Sequence, residues 1–346
     1  MAGESATAGS PAATAKGPVP VAGAVGKGGG GRRAGNPARR RRLAEYRFVA
    51  GFLAAPVALY AVLVVSPFLQ TFYYSLTDWT GYTADFSMVG LANYARLLED
   101  ELFLTALWHN VVLLLVLPLV TLGLGLFFSF MLNVGGRRRG GAVVGGVGGS
   151  RFYKVVYFFP QVLSVAIVAV LWQYVYSPTD GLLNGVLSGV GLESLEQNWL
   201  GDPDLAMACV MAVMVWANVG FYVVLFSAAM ASVPREIYEA ALLDGAGRAT
   251  TFFRVTLPLI RDTVQTGWVY MGIMALDAFA YVYIMTTNQG GPDNSTLVLP
   301  VYLYKRAFRD GQAGYATAVG VALLAVTMVF AVAAMALGRR RDRIEF

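Results

Sequence analysis

Glu239-Ala240-Ala241-Leu242-Leu243-Asp244-Gly245-Ala246, followed by Thr256-Leu257-Pro258-Leu259-Ile260, forms a polar island between two apolar runs, 205–231 and 264–287. A helix rises about 1.5 Å per residue, so about 20 mainly apolar residues cross the ~30 Å hydrocarbon layer of a bilayer. Both runs meet that length. The island therefore lies at a membrane face, where a channel can meet a soluble partner.

The rest of the chain agrees with that reading. Its residues are 57% hydrophobic and only 14% charged, with a mean hydropathy of +0.57, whereas soluble domains carry about 25% charged residues. Six runs reach spanning length, near 48–69, 107–132, 154–176, 205–231, 264–287 and 314–337, which predicts an all-α membrane protein. The first run follows Arg39 to Arg42 as a secretory signal would. Its length of about 22 residues, and its exit through Ser66-Pro67-Phe68 without a small-x-small cleavage site, favour an uncleaved helix.

Lys and Arg collect in loops on the cytoplasmic side of a membrane. Of the 26 such residues, only Arg96, Lys305, Arg306 and Arg309 fall in the loops of one side, so both termini are expected in the cytoplasm. That asymmetry accounts for the pI near 9.3 and removes the case for nucleic-acid binding by the basic clusters. Residues 1–44 are rich in Gly, Ala, Pro and Ser and read as a disordered cytoplasmic tail, because they have too little apolar surface to offset ordering entropy. Residues 45–104 then hold the first span and an extracytoplasmic loop, 105–338 a five-helix core with a cytoplasmic loop at 232–263, and 339–346 a basic tail. The Gly- and Arg-rich stretch 134–150 reads as a flexible linker carrying topology charges. One cysteine, Cys209, and one histidine, His109, leave no disulfide or metal framework, and both read as packing or boundary residues. In the extracytoplasmic loops, Trp79, Tyr82, Tyr94 and Trp199 read as interface anchors or as docking points for a partner.

The loop at 232–263 is too long for a tight turn. Ser232 is placed to cap a helix with Pro234 in its first turn, and Glu236 and Glu239 favour the positive end of its dipole. Ile237, Ala240 and Ala241 make a narrow face of small and apolar groups. Asp244-Gly245 ends the helix, because glycine takes the left-handed conformation without strain. A second amphipathic segment, Thr250 to Ile260, returns Phe252, Phe253, Val255 and Leu257 toward the membrane. A surface helix held at both ends by spans is suited to a groove on a soluble protein. The plainer alternative is a helix lying on lipid, against which stands the density of charge at Arg235, Glu236, Glu239, Asp244, Arg248, Arg254, Arg261 and Asp262.

At these residues the chain resembles the permease subunits of binding-protein-dependent ABC importers, whose signature is Glu-Ala-Ala, a glycine four residues after the second alanine, and a later Leu-Pro. Glu239-Ala240-Ala241, Asp244-Gly245-Ala246 and Leu257-Pro258 match it. The likeness covers about residues 46–338 and is similar to the sugar-importer branch that includes the larger maltose permease and the glycerol-phosphate permease. It is carried by Ser75-Leu76-Thr77-Asp78-Trp79, Val89-Gly90-Leu91-Ala92-Asn93-Tyr94, Asn110, Phe159-Pro160, Met285-Thr286, Gly290-Gly291-Pro292 and Gly314-Tyr315-Ala316-Thr317-Ala318. The resemblance implies a type I ABC importer permease fold of six transmembrane helices in the inner membrane. It also implies a second permease as heterodimer partner, an ATPase dimer that holds ATP and Mg, and an extracytoplasmic solute-binding protein that delivers a sugar. Glu239, Ala240, Ala241, Asp244 and Gly245 would form the coupling helix, with Leu257 and Pro258 bracing its return. The chain itself has no Walker-type phosphate loop, so no catalytic residue and no cofactor of its own is expected.

The chain departs from the branch where Phe-Asp is usual and Phe279-Ala280 stands instead, its acid being Asp277. An acid inside a span is costly and usually faces a cavity or a partner. Tyr270, Met274, Asp277 and Tyr281 share one helical stripe, and Asn218 and Tyr222 lie four residues apart on one face of the fourth span. Sugars need hydroxyl-binding groups and aromatic faces, so Asn218, Tyr222, Asp277 and Tyr281 are candidate pathway residues. Helix–helix packing is the competing reading of each. Two functions remain open: the translocating subunit of an ATP-driven sugar importer, and an ion-coupled secondary carrier using Asp277.

Overall fold

The computed structural model describes residues 37–134, 136–137, 144–145 and 148–339. The expected tail lies outside them as far as residue 36, and residues 37–44 are already helical. Of the loop at 134–150, residues 135, 138–143 and 146–147 lie outside, as does the basic tail beyond residue 339. The chain divides into two units at residue 62. The first holds helix α1, Pro37–Tyr60, whose described side chains are exposed throughout. Phe48, Phe52 and Leu59 typify its bare apolar surface, of the kind that lipid or a partner chain covers.

The second unit contains α2 (Ser66–Tyr74), α3 (Ala92–Glu99), α4 (Glu101–Val134), α5 (Ser150–Phe158), α6 (Val165–Val175), α7 (Leu182–Gly189), α8 (Pro203–Ser232), α9 (Arg235–Leu243), α10 (Arg248–Thr250), α11 (Leu257–Leu259), α12 (Arg261–Leu276), α13 (Phe279–Met285), α14 (Leu299–Tyr304) and α15 (Ala313–Arg339). A two-residue antiparallel pair, β1 (Gly136–Arg137) with β2 (Val144–Gly145), follows α4. Helix α8 is the centre. It packs along α4 and against α5, while α12 lies between α4 and α15. Leu113, Leu117, Val210, Met214, Phe226, Met271 and Ala275 make the shared core. At Gly220 the end of α5 crosses so closely that a Cβ would sit 1.8 Å from the Tyr157 carbonyl oxygen, an approach that only glycine allows.

Among the described residues, four helical stretches are long and apolar enough to cross a membrane: Glu45–Tyr74, Glu101–Asn133, Pro203–Ser232 and Ala313–Ala336. The other two expected spans are broken, and six spans result only when each bent pair counts as one. The run 154–176 is α5 and α6 meeting at 98°. Pro160 has no N–H to continue the ladder, the chain tightens into a 3-10 turn at Phe159–Val162, and Leu163 is extended before Ser164 caps α6. The run 264–287 is α12 and α13, bent by 42°. There Asp277 leaves helical geometry at φ −98° and ψ 51°.

Candidate functional site

Helices α8 and α12 are joined by the segment that the sequence singled out. Helix α9 ends as expected. Gly245 has φ +75°, its N–H donates to the Leu242 carbonyl at 3.0 Å, and that of Ala246 donates to Ala241 at 2.9 Å. These are the two bonds of a Schellman cap. The start differs from expectation. Ser232 belongs to α8, where its hydroxyl donates to the Ala229 carbonyl at 2.8 Å, and Pro234 takes the N-cap position without a side-chain bond. The return leg is also not one regular helix: α10 passes through a π-helical turn, Thr251–Thr256, into α11. Pro258 lies in the first turn of α11.

Glu239, Ala240, Asp244 and Gly245 are exposed, Ala241 and Leu257 are half-buried, and Leu243 is 88% exposed. The surface that would meet a partner is thus free in this chain. The residue holding α9 in place is one the sequence reading passed over. Tyr238 is 5% exposed, and its hydroxyl lies near the Thr256 hydroxyl without hydrogen-bond geometry. Burial raises the Tyr238 pKa above the usual tyrosine value. Phe252 then packs edge-on against Phe130 of α4, with ring centroids 4.9 Å apart. A large aromatic ring in a nine-residue polar helix was the available signal for Tyr238.

Deeper in the bundle a cavity of about 290 Å³ is lined by Val165, Met214, Asn218, Met274, Asp277, Phe279, Ala280 and Tyr281. It brings together three of the four candidate pathway residues. The Asn218 amide donates to the Met214 carbonyl at 2.8 Å and accepts from Gln161 at 3.1 Å; Gln161 also donates to the Ala217 carbonyl at 3.0 Å. The Tyr281 hydroxyl lies near Asn218. Asp277 and Ala280, the two positions where the chain departs from the branch it resembles, both face this space. Gln161 was not foreseen, although the turn that carries it follows Pro160 directly.

Tyr222 lies elsewhere. It is 1% exposed and packs where α8 meets α4 and α12, against Gly125 and Gly267, with its hydroxyl unpartnered. Tyr270 does not line the cavity; its ring lies 5.8 Å from that of Phe221. A larger space of about 670 Å³, walled by residues such as Val120, Phe128, Tyr157, Met211 and Trp216, is mostly apolar and carries none of the four candidate pathway residues.

The loops expected on the opposite side from α9 carry a second polar cluster that the sequence did not announce. Asp100 caps α4 by accepting from the N–H of Leu102 at 3.0 Å and of Phe103 at 3.2 Å. Its other oxygen accepts from Tyr302, from Tyr315 at 2.8 Å and from Arg306 at 3.3 Å. Burial would raise the Asp100 pKa, but the bonds from Tyr302, Tyr315 and the Phe103 N–H, together with the Arg306 charge, hold it below the usual carboxylate value. Arg96 adds a cation–π contact 4.2 Å above the Tyr315 ring. Trp79 is tied locally, stacking on Tyr74 and donating to the Thr83 carbonyl at 2.8 Å. Tyr94 pairs with Ser75 at 2.7 Å and Trp199 with Asn184 at 2.7 Å, while Tyr82 stays 73% exposed. His109 Nδ1 pairs with the Leu297 carbonyl at 2.8 Å and Cys209 is free and buried. Among the described residues no group of side chains has the makeup of a metal site.

Residues 140–343 match the family described as binding-protein-dependent transport system inner membrane component. The chain belongs to that family. Among its relatives is the diacetylchitobiose uptake system permease protein NgcF of Streptomyces coelicolor, 48% identical over 302 residues, 86% of this chain and 84% of the relative. The multiple sugar-binding transport system permease protein MsmF of Streptococcus mutans is 32% identical over 289 residues, 84% of this chain and 94% of the relative. In fold, this permease superposes on a chain of a bacterial ABC transporter that imports the acidic polysaccharide alginate, with a TM-score of 0.74 at 20% identity, over 88% of this chain and all of the other. A second structure, a bacterial alginate ABC transporter in complex with an alginate-pentasaccharide-bound periplasmic protein, gives 0.72 at 21%, over 88% and 99%. The permease therefore has the importer fold read from its sequence, and it is a transport component of the membrane.

Proposed function

We propose that this chain is the sugar-translocating subunit of an ATP-driven importer, and that its sugar is a short oligosaccharide built from N-acetylated amino sugars. The observation that carries the reading is the cavity at Asn218, Asp277 and Tyr281, in which Asn218 on α8 and Asp277 at the end of α12 stand on the two helices that the exposed α9 segment joins. Helix α8 places Asn218 about 21 Å from Ser232, and α12 places Asp277 about 24 Å from Arg261, at ~1.5 Å per residue. A displacement of α9 moves the feet of both cavity walls together. Its surface carries Glu239, Ala240, Ala241, Asp244 and Gly245 toward a groove on an ATPase, with Leu257 and Pro258 stiffening the return. ATP and Mg sit on that ATPase dimer, and closure of the dimer drives alternating access.

The cavity has one polar side, which suits a pathway completed by a second permease across the membrane-spanning interface. A solute-binding protein on the outer side delivers the sugar, and both termini of the chain face the cytoplasm of the inner membrane. The choice of amino sugar follows from the relative named for diacetylchitobiose uptake and from acceptor groups in the cavity that suit an acetamido N–H. The ion-coupled carrier reading is disfavoured because the chain belongs to a family of binding-protein-dependent transport components.

The test is uptake of radiolabelled diacetylchitobiose by cells that carry the complete transporter, with Glu239→Lys as the coupling variant. Wild type accumulates the sugar in an ATP-dependent manner and Glu239→Lys does not, at equal membrane levels. Uptake that follows an ion gradient in vesicles lacking any ATPase would refute the proposal.

A further inference from the structure

We propose that Asp277 sets the charge class of the sugar, so that the cavity takes amine-bearing and neutral sugars and turns away uronates; this rests on the pathway reading above. Asp277 stands in the break between α12 and α13, facing the cavity. Among the described residues, no side chain donates a hydrogen bond to its carboxylate and no cation pairs with it. The cavity wall contains no Lys, Arg or His.

The other polar groups there are neutral. Asn218 gives one amide N–H to Met214 and accepts from Gln161 at its carbonyl, and the Tyr281 hydroxyl lies beside that pair. The charge on the cavity wall therefore comes from one carboxylate, which accepts and never donates when ionised. A hydroxyl, an acetamido N–H or an ammonium supplies what it needs. A sugar carboxylate supplies a second negative charge.

Charge also decides the size of the effect. Two unit charges about 5 Å apart at an effective dielectric of ~20 change binding by roughly 250-fold, upward for an ammonium and downward for a carboxylate. Solvent in the cavity reduces this, leaving at least about tenfold between the two extremes. A burial cost for an unpaired acid in a span is retained only where a ligand or partner relieves it, and the cavity is the space open to this one.

The experiment measures equilibrium binding to the complete membrane complex in nanodiscs, without the binding protein, so that the binding protein's own selectivity does not enter. The probes are three disaccharides: one with two free amines, its diacetylated form, and one with two uronate groups. Wild type is expected to bind them in that order, with at least tenfold between first and last. Asp277→Glu keeps the order, which shows that the site tolerates substitution, and Asp277→Asn brings all three within about threefold. The proposal is overturned if Asp277→Asn keeps the wild-type order, if wild type does not discriminate, or if wild type binds none of the three. ATP-driven uptake in cells separately reports whether the importer reading itself stands.

Discussion

Gly245 offers a graded test of what ends α9. Its φ of +75° lies in the left-handed region, and a Cβ added there meets nothing within 4 Å, so in the isolated chain only backbone strain opposes a side chain. For most L-residues that strain is about 1–2 kcal/mol, which lowers the population of the capped form about 5- to 30-fold; asparagine bears it more easily, and a β-branched residue less. Proline is worse in kind. Its φ is fixed near −65° and it removes the N–H that donates to Leu242 at 3.0 Å. ATP-driven uptake at matched membrane levels, with sugar-stimulated ATPase measured in parallel, should therefore fall in the order Gly, Asn, Ala, Val, Pro at position 245. Both activities fall together, because the cap presents α9 to its partner. If Gly245→Asn is as damaging as Gly245→Val, backbone handedness is not what matters, and the glycine instead makes room for a docked surface.

Tyr222→Phe removes a buried hydroxyl that has no partner, a group that costs about 1–3 kcal/mol when left unpaired; the melting temperature of the purified complex should rise and uptake should persist, whereas lost uptake would return Tyr222 to the pathway. Tyr238→Ala empties a ring site that is 5% exposed and should cost about 3–5 kcal/mol locally, uncoupling uptake from ATP hydrolysis. Tyr238→Phe should leave both activities intact, and equal damage from the two variants would tie the hydroxyl to coupling. Asp100→Asn should destabilise the fold by about 2–3 kcal/mol at pH 7 by weakening charge-assisted bonds. The folded pKa of Asp100 lies below its ordinary 3.8, so its contribution is full above that value and vanishes as pH falls through the lowered one. Melting curves of wild type and Asp100→Asn should therefore differ by a constant amount from pH 8 to pH 5 and converge in stronger acid; a difference that already closes near pH 6 would contradict the assignment.

Features decided within a few residues were open to the sequence. Apolar length gave the unbroken spans, and the Asp244-Gly245 pair gave the end of α9, because a left-handed cap is a property of one residue's backbone. The start of α9 was misread for a related reason. Ser232 and Pro234 compete for one role, and α8 runs on until the serine hydroxyl turns back to Ala229, leaving the proline as the cap. Contacts between distant segments were not open to it. Gln161 and Asn218 are joined across spans, as are Asp100, Tyr302 and Tyr315, and no local pattern marks those pairs. Tyr222 looked like a pathway residue because it shares a helical face with Asn218, yet one more turn of α8 carries it out of the cavity and into contact with the glycines of its neighbours.

The two broken spans and the cavity are one physical fact. Within hydrocarbon, backbone that leaves the helix is tolerated only where protein or a polar space covers it, so a break inside a span predicts a cavity at the same level. Both breaks here meet at Asn218. The turn after Pro160 delivers Gln161 to its amide and Val165 to the cavity wall, and the break at Asp277 and Ala278 delivers the carboxylate on the other side. Helix α8 stays unbroken and supplies the asparagine between them. Proline in the middle of one apolar run and an acid in the middle of another both stand in the sequence, but only the acid was read there for its cost. Taken together they specify a level in the membrane. A substitution that heals either break, Pro160→Leu for instance, should therefore disturb sugar binding more than it disturbs folding.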